Sequence, residues 1–171
     1  MEEEKTLTKE VVSDTYDASD RPFDFVEADV GTALICESAA SLKKKLTTAM
    51  KTLGYQITET VSAKDALKNM RYHVYDVVIV NENFNTDNPA ANEVLQYLAN
   101  LNMSTRREIF VTVISSRFRT MDNMAAFNNS VNLVINTKNI NEAGQIIKSG
   151  IAEDNAFYHA YKETLKKKGR G

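Results

Sequence analysis

Polar residues that could take part in chemistry directly follow several short apolar runs of this chain. Carboxylate oxygens bind hard cations such as Mg²⁺, and a hydroxyl or an amine can contact an anion. An amide is neutral and is a poor nucleophile, so it adds little reactivity. The candidate site residues are Glu37, Ser38, Asn81, Glu82, Ser115, Ser116 and Lys138.

The apolar runs in front of these residues predict β-strands. Residues 32–36, 77–80 and 109–114 are short and almost continuously apolar, which is typical of strands covered on both faces. Residues 57–61 and 131–135 predict two more strands. The run at 77–80 is the most β-branched in the chain, so we expect it at the centre of a sheet.

Helical patterns fill the segments between the strands. Apolar residues recur at helical spacing over residues 42–53, and Gly54 predicts the end of that helix. Ser62, followed by Asp65, predicts the first turn of a second helix. Further helices are predicted around residues 94–101 and 121–127, and a long last helix begins near Asn141.

Five strands that alternate with five helices predict an α/β fold, namely a doubly wound, five-stranded parallel sheet of flavodoxin-like (βα)5 type. Right-handed crossovers place helices on both faces of such a sheet. The functional crevice then lies beyond the carboxyl ends of the strands. We therefore expect the candidate residues to gather at one edge of the sheet.

With these residues in these places, residues 31–151 resemble the receiver domain of two-component response regulators. The resemblance implies an acidic pair after the first strand, a phosphorylated aspartate after the third, a Thr or Ser after the fourth and a lysine after the fifth. Spacing slightly favours the second serine at the hydroxyl position. The matching residues are Glu37 and Ser38, Asn81, either Ser115 or Ser116, and Lys138.

The departures from the family pattern imply a degenerate phosphorylation pocket. Asn81 cannot form an acyl phosphate, and Ser38 removes one of the two acidic supports for Mg²⁺. Glu37, even together with Glu82 or Asp87, provides few carboxylate ligands for that ion. The resemblance thus implies a pseudo-receiver with no catalytic residue, no metal and no cofactor.

Simpler roles stay open for several of these residues. Ser115 and Ser116 could cap the following helix, and Lys138 could be a solvated charge or an ion-pair partner of Glu37. Cys36 lies inside an apolar run, so we expect it to act as a small hydrophobic residue.

The two ends of the chain differ from its middle in charge. Residues 1–30 contain ten acidic and three basic side chains, which predicts a flexible acidic arm or linker over that segment. Three apolar residues near the end of the arm could attach it to the folded part as a short edge segment. They are Phe23, Phe25 and Val26. Residues 152–171 predict a C-terminal helical extension with a basic tail.

The last helix is predicted over residues 141–168, with Gly144 and Gly150 as its only interruptions, and a stripe of residues at helical spacing runs along it. A straight helix of that length would span about 42 Å, more than a small core covers. We therefore expect either a fold-back after Gly150 or burial against a partner, which includes a homodimer. The stripe consists of Ile147, Ile151, Asp154, Tyr158, Tyr161 and Leu165.

The composition excludes several classes of protein. One cysteine and two distant histidines provide neither a disulfide framework nor metal-site spacing. No signal-peptide pattern and no apolar run of about 20 residues is present, so we expect a cytoplasmic protein without membrane contact. None of the six glycines lies in a phosphate-binding loop, which disfavours a nucleotide-binding enzyme.

The function that we expect is a phosphorylation-independent interaction module of bacterial signal transduction, and not an enzyme. The alternatives are a small-ligand or nucleotide-binding doubly wound domain, and a receiver that keeps weak phosphoryl or metal binding. A nucleic-acid partner is not expected, since no recognition helix accompanies the basic tail. In receivers, partners commonly meet the fourth helix, fifth strand and fifth helix. The partner-binding candidates are Met121, Met124, Phe127, Tyr158, Tyr161 and Leu165.

Overall fold

Five parallel strands form one sheet in the order β2-β1-β3-β4-β5 in the computed structural model, which describes residues 30–169. The most β-branched strand lies at the centre, as the sequence predicts. Every neighbouring pair of strands is parallel. The strands are β1 (Thr32–Cys36), β2 (Gln56–Glu59), β3 (Val77–Asn81), β4 (Phe110–Ser115) and β5 (Leu133–Asn136).

Helices connect the strands, and local signals fix several of their ends. The Ser62 hydroxyl accepts a hydrogen bond from the Asp65 N–H (3.1 Å), which confirms the predicted N-cap. Gly54 has φ of 90° and follows the first helix, where a left-handed residue is favoured. The helices are α1 (Ala40–Thr52), α2 (Ala63–Tyr72), α3 (Glu93–Ala99), α4 (Met103–Arg106), α5 (Asn123–Asn128), α6 (Ala143–Phe157) and α7 (His159–Lys167).

The sheet has a hydrophobic core on each face. Alternate residues of one strand enter different cores: Leu34 packs with α2, α3 and α5, while Ile35 packs with α1 and α6. Burial of each such side chain contributes about 1.5–3 kcal/mol. Cys36 is fully buried, and burial raises the pKa of its thiol to about 12, so it acts as a small apolar residue.

The last long helix differs from the prediction. Helix α6 continues through both glycines without folding back after Gly150, so that expectation was wrong. A Cβ atom at Gly150 would lie 2.9 Å from Phe110 Cζ, and one at Gly144 would lie 3.3 Å from Ala49 Cβ. Both glycines therefore allow α6 to approach its neighbours closely. The interruption comes later, at Tyr158, whose φ and ψ are −92° and 6°.

The C-terminal stripe leaves the core gradually. Ile147 is fully buried, Ile151 and Tyr158 are half-buried, and no residue of α7 is buried. Tyr161 lies under the Arg107 guanidinium, 5.1 Å from ring centroid to Cζ. Helix α7 thus makes some contact with its own domain.

Two groups of predictions lie outside the described residues: those for the acidic arm, including Phe23, Phe25 and Val26, and that for the last two residues of the basic tail. Within residues 30–169, no helix is both long enough and apolar enough to cross a membrane.

Candidate functional site

The carboxyl ends of β1, β3, β4 and β5 bring polar residues to one edge of the sheet. Glu37 directly follows β1, and Asn81, Ser115 and Asn136 are the last residues of β3, β4 and β5. The strand register pairs Asn81 with Ile114 and Ser115 with Asn136. The edge therefore assembles as the topology predicts, although Asn136 takes a place there that the sequence pattern did not assign to it.

Asn81 and Glu37 form the centre of this edge. The Asn81 Nδ2 donates to Glu37 Oε2 (2.7 Å), and the Asn81 Oδ1 accepts from the Asn83 N–H (2.9 Å). The other carboxylate oxygen of Glu37 accepts from the Ala39 N–H (3.0 Å), and Glu37 is 2% exposed. An amide at position 81 can donate to Glu37, whereas an ionised carboxylate there would repel it.

Asn92 fixes the backbone that carries Asn81. Its Nδ2 donates to the carbonyl oxygens of Asn81 (3.1 Å) and Glu82 (3.0 Å). Its Oδ1 accepts from the Leu95 N–H (3.1 Å), which caps α3. The sequence interpretation missed this residue, although an asparagine directly before a helix with Glu93 in its first turn is an N-cap signal.

A second cluster joins Glu82, Ser115 and Arg117. The Ser115 hydroxyl donates to Glu82 Oε1 (2.8 Å) and accepts from the backbone N–H groups of Arg117 (3.0 Å) and Phe118 (3.2 Å). Arg117 donates to Glu82 through Nη2 (2.7 Å) and Nε (3.2 and 3.3 Å). The Ser115 hydroxyl is thus engaged by groups of the protein itself.

The Glu82 carboxyl lies in a protected but strongly hydrogen-bonding environment. Its side chain is 3% exposed, while that of Arg117 is 54% exposed. Burial acts to raise the pKa of Glu82, but hydrogen bonds from Arg117 and Ser115 and the guanidinium charge outweigh it, so the pKa is lowered. Glu82 is therefore an anion at neutral pH.

The side chains of three predicted site residues lie outside these contacts, although a backbone hydrogen bond from Ser116 also helps to lower the pKa of Glu82. Ser38, Ser116 and Lys138 are exposed. Lys138 lies on the short 3₁₀ segment Thr137–Glu142, and no ion pair joins it to Glu37, both of which are described residues. Of the two serines, Ser115 is buried at the end of β4 and its hydroxyl bonds Glu82, whereas Ser116, which spacing slightly favoured, is exposed.

Asn136 stands beside Ser115 at the end of β5. Its Nδ2 donates to the Phe118 carbonyl (2.7 Å), and its Oδ1 accepts from the Lys138 N–H (2.9 Å). Its backbone N–H donates to the Thr120 hydroxyl (2.9 Å). These bonds tie the segment after β4 to the end of β5 and leave the lysine side chain outside.

The edge offers few groups for metal or phosphoryl chemistry. In the part of the chain that the structure describes, no group of three or more His, Cys, Asp or Glu residues is arranged to hold a metal ion. Glu37 and Glu82 are each used by neighbouring protein donors. We call this hydrogen-bonded cluster between the ends of β3 and β4 the lock, defined by Glu82, Ser115 and Arg117.

Solved structures of response regulators share this architecture. A receiver domain protein (CheY-like) from Methanospirillum hungatei has a TM-score of 0.57 at 12% identity, over 75% of this chain and 98% of that chain. A CheY-like receiver domain from Methylobacillus flagellatus has a TM-score of 0.55 at 20% identity, over 71% and 99%. The chain has the receiver fold.

The sequence alone gives a weaker signal than the architecture. No protein-family model and no curated protein matches it. An orphan response regulator of H. pylori also shares the fold, with a TM-score of 0.53 at 18% identity over 70% of this chain and 95% of that chain. At these identities the likeness is one of fold.

The receiver fold also presents an apolar surface at the other side of β5. Three of the predicted partner residues are exposed there: Met121 (54%), Met124 (67%) and Phe127 (78%). A groove of about 370 Å³ runs between α5 and α6 across β5, and Phe157 (80% exposed) stands at its α6 wall. Met121, Leu133, Ile146 and Phe157 line the groove together with the acids Glu153 and Asp154, and Met124 and Phe127 are exposed on α5. We call the six apolar residues of this region the α5–β5–α6 face: Met121, Met124, Phe127, Leu133, Ile146 and Phe157.

Proposed function

We propose that this chain is a phosphorylation-independent receiver domain that acts as a protein-interaction module in bacterial signal transduction, and that it is not an enzyme. The hydrogen bond between the Asn81 amide and Glu37 carries the proposal. It supports the proposal because the Asn81 amide is neutral and already engaged, whereas a receiver needs a carboxylate nucleophile at the position that Asn81 matches by resemblance.

Three further features of the edge support independence from phosphate. Ser38 supplies no carboxylate, the Ser115 hydroxyl is bonded to Glu82, and Lys138 lies outside the cluster. A phosphoryl group arriving at this edge would find neither a metal-binding acid pair nor an available amine. Any input to the domain must therefore come by another route than phosphotransfer.

The α5–β5–α6 face is the surface that we assign to the partner. Apolar side-chain area is in contact with water at Met124, Phe127 and Phe157. Burial of such area against a partner favours association. Flexible methionines adapt to different partner surfaces, and aromatic side chains supply much of the binding energy at protein interfaces. A protein partner with an apolar helix or loop fits the groove beside these residues.

The pocket claim is tested by adding beryllofluoride and Mg²⁺ to the full chain and recording amide NMR shifts. We expect no localised shifts at Glu37, Asn81 or Ser115. The matched control is the double variant Ser38→Asp with Asn81→Asp, which restores an acid pair and the acceptor carboxylate and should respond to Mg²⁺. Shifts confined to the strand ends of the unmodified protein would overturn the proposal.

A further inference from the structure

One wall of the groove on the α5–β5–α6 face is a single side of helix α6. Four residues line this wall at positions i, i+4, i+7 and i+11, namely Ile146, Gly150, Glu153 and Phe157. Residues at this spacing share one side of a helix and here extend over about 16 Å, or three turns. Leu133 of β5 lies between this wall and α5. A groove of that length between two helices suits a third helix that inserts side chains at i, i+4 and i+7.

The first residues of α5 are fixed beside the groove. The Met121 N–H donates to the Val134 carbonyl of β5 (2.8 Å), and Asp122 Oδ1 accepts from the Ala125 N–H (3.0 Å). Met121 has φ of 63°, a left-handed conformation that bulky side chains rarely adopt. These bonds hold that conformation, so the exposed Met121 side chain stays in place at the rim of the groove.

The charged residues that line the groove within residues 30–169 are both acidic, and the protein itself neutralises only one of them. Asp154 is half-buried and lies near the cations Arg106 and Lys162. Burial has the largest effect on Asp154 and raises its pKa. Glu153 is exposed, and no ion pair in the described part of the chain includes it. Glu153 is therefore the carboxylate that can pair with a cation of a partner.

An aromatic pair stands one helical turn after Glu153. Phe157 follows it at i+4, and the Phe157 ring meets that of Tyr158 edge to face, with the centroids 4.9 Å apart. A cation placed beside Phe157 would meet a carboxylate and an aromatic ring together, and both attract positive charge. An arginine fits best, because its planar group can stack on the ring and still donate to the carboxylate.

Helix α1, which packs against another side of α6, has the opposite charge. Its 13 residues contain no acidic side chain and four lysines: Lys43, Lys44, Lys45 and Lys51. An acidic partner is attracted to α1, whereas a basic partner is repelled there and attracted to the groove. The two surfaces therefore select partners of opposite charge.

From these observations we infer that the partner of the α5–β5–α6 face presents an amphipathic helix with a basic flank. Its apolar side chains enter the groove, and an arginine or lysine on its flank pairs with Glu153. The inference rests on the proposed function, in which this face receives a protein partner, and adds the chemistry of that partner. Burial of apolar area supplies the attraction, and the cation discriminates among apolar helices.

Three synthetic helical peptides of about 18 residues test the inference by fluorescence anisotropy with the full chain. They share apolar residues at i, i+4 and i+7, and their flank carries arginine, glutamine or glutamate. We expect the arginine peptide to bind about 3–10-fold more tightly than the glutamine peptide, and the glutamate peptide to bind least. In about 1 M salt, where the Debye length is about 3 Å, these differences should nearly disappear. Circular dichroism should show that the bound arginine peptide is helical.

Charge reversal assigns the effect to one carboxylate. Glu153→Lys should remove the advantage of the arginine peptide and leave the affinity for the glutamine peptide unchanged. The matched control Glu108→Lys makes the same charge change at an exposed acid that lines a separate cleft of about 420 Å³ at the amino ends of the strands. It should preserve the order of the three peptides. Circular dichroism of both variants confirms that they fold.

The outcomes separate this inference from the proposed function. If the three peptides bind equally well, or if both charge reversals weaken the arginine peptide equally, the face accepts apolar helices without charge selection. The inference is then wrong and the proposed function stands. An extended bound peptide also overturns the inference. If no peptide binds, or if Phe157→Ser leaves the affinity for all three unchanged, the assignment of this face to a partner fails together with the inference.

Discussion

The carboxyl edge of the sheet and the α5–β5–α6 face treat their side chains in opposite ways. At the edge, Asn81, Glu82 and Ser115 satisfy their polar atoms with partners from the same chain. On the face, Phe127 and Phe157 expose about four-fifths of their apolar side chains. The first region is internally complete, whereas the second would gain free energy from a partner.

This difference suggests how a receiver fold can keep a role without a phosphate. In the lock, the Glu82 carboxylate and the Arg117 guanidinium hold the Ser115 hydroxyl in one position. A carboxylate of the chain thus accepts the hydrogen bond of the Ser115 hydroxyl, so this donor is already used before any phosphoryl group arrives. We propose that the fold is held in one state and that binding at the face is constitutive.

Removal of Arg117 should have the largest effect on stability. In Arg117→Ala the buried Glu82 carboxylate loses its bidentate donor, and we expect the free energy of unfolding to fall by about 2–3 kcal/mol at pH 7. Glu82→Ala should cost less, because Arg117 is 54% exposed and can turn to water. Urea unfolding of both variants measures the order, and a larger loss in Glu82→Ala would contradict the lock.

The same ion pair makes stability depend on pH. The pKa of Glu82 is lowered in the folded state, so its contribution is complete above the ordinary value of 4.5 and is lost as pH falls through the lowered value. The difference between parent and Arg117→Ala should therefore shrink as the pH falls below the ordinary value of 4.5 and through the lowered pKa of Glu82. A difference that stays constant from pH 7 to pH 3 would show that the pair does not form.

Asn81→Asp should have the next largest effect. An aspartate would lie within hydrogen-bond distance of the Glu37 carboxylate, where two anions repel, so we expect a loss of about 1–2 kcal/mol at pH 7. One of the two carboxyls should then have a raised pKa, and the loss should diminish as pH falls and that group is protonated. Mg²⁺ should raise the melting temperature of this variant and leave that of the parent unchanged.

Much of the architecture could be predicted from the sequence because its signals are local. The β-branched run at 77–80 predicted the central strand, and Ser62 with Asp65 predicted a helix start. The role of Gly150 could not be predicted in this way. In the sequence it interrupts a helical pattern, but in the fold the absence of a Cβ allows α6 to meet Phe110, which lies 40 residues away.

The candidate site was predictable in outline and not in its bonds. The topology placed Glu37, Asn81 and Ser115 at one edge, because parallel strands end on the same side. Ser116 and Lys138 were predicted from spacing alone, and spacing does not determine which side chains at a strand end turn inward; both are exposed in the fold. The Glu82–Arg117 pair joins residues 35 positions apart, and only the folded chain brings them together.

Gly150→Ala should have a smaller effect on the free energy of unfolding, and it tests the packing of α6, which forms one side of the α5–β5–α6 face. The new Cβ would lie 2.9 Å from Phe110 Cζ, which forces α6 outward, while the gain in helix propensity of about 1 kcal/mol offsets part of the strain. We expect a net loss of about 1 kcal/mol by urea unfolding. Gly144→Ala, whose nearest contact is 3.3 Å from a small side chain, should be neutral or stabilising.

Phe127→Ser should have the smallest effect on stability and the clearest effect on association. The side chain is 78% exposed, so its removal should change the free energy of unfolding by less than about 0.5 kcal/mol. If the face binds an apolar partner, the variant should bind less of a hydrophobic fluorescent probe and should lose partner binding in cell extracts of the source organism. The matched control is Val61→Ser, an apolar residue that is 82% exposed and lies two residues before α2, away from the face. An equal loss of probe binding and partner binding in both variants would indicate non-specific binding to exposed apolar residues and would argue against a specific partner site on the face.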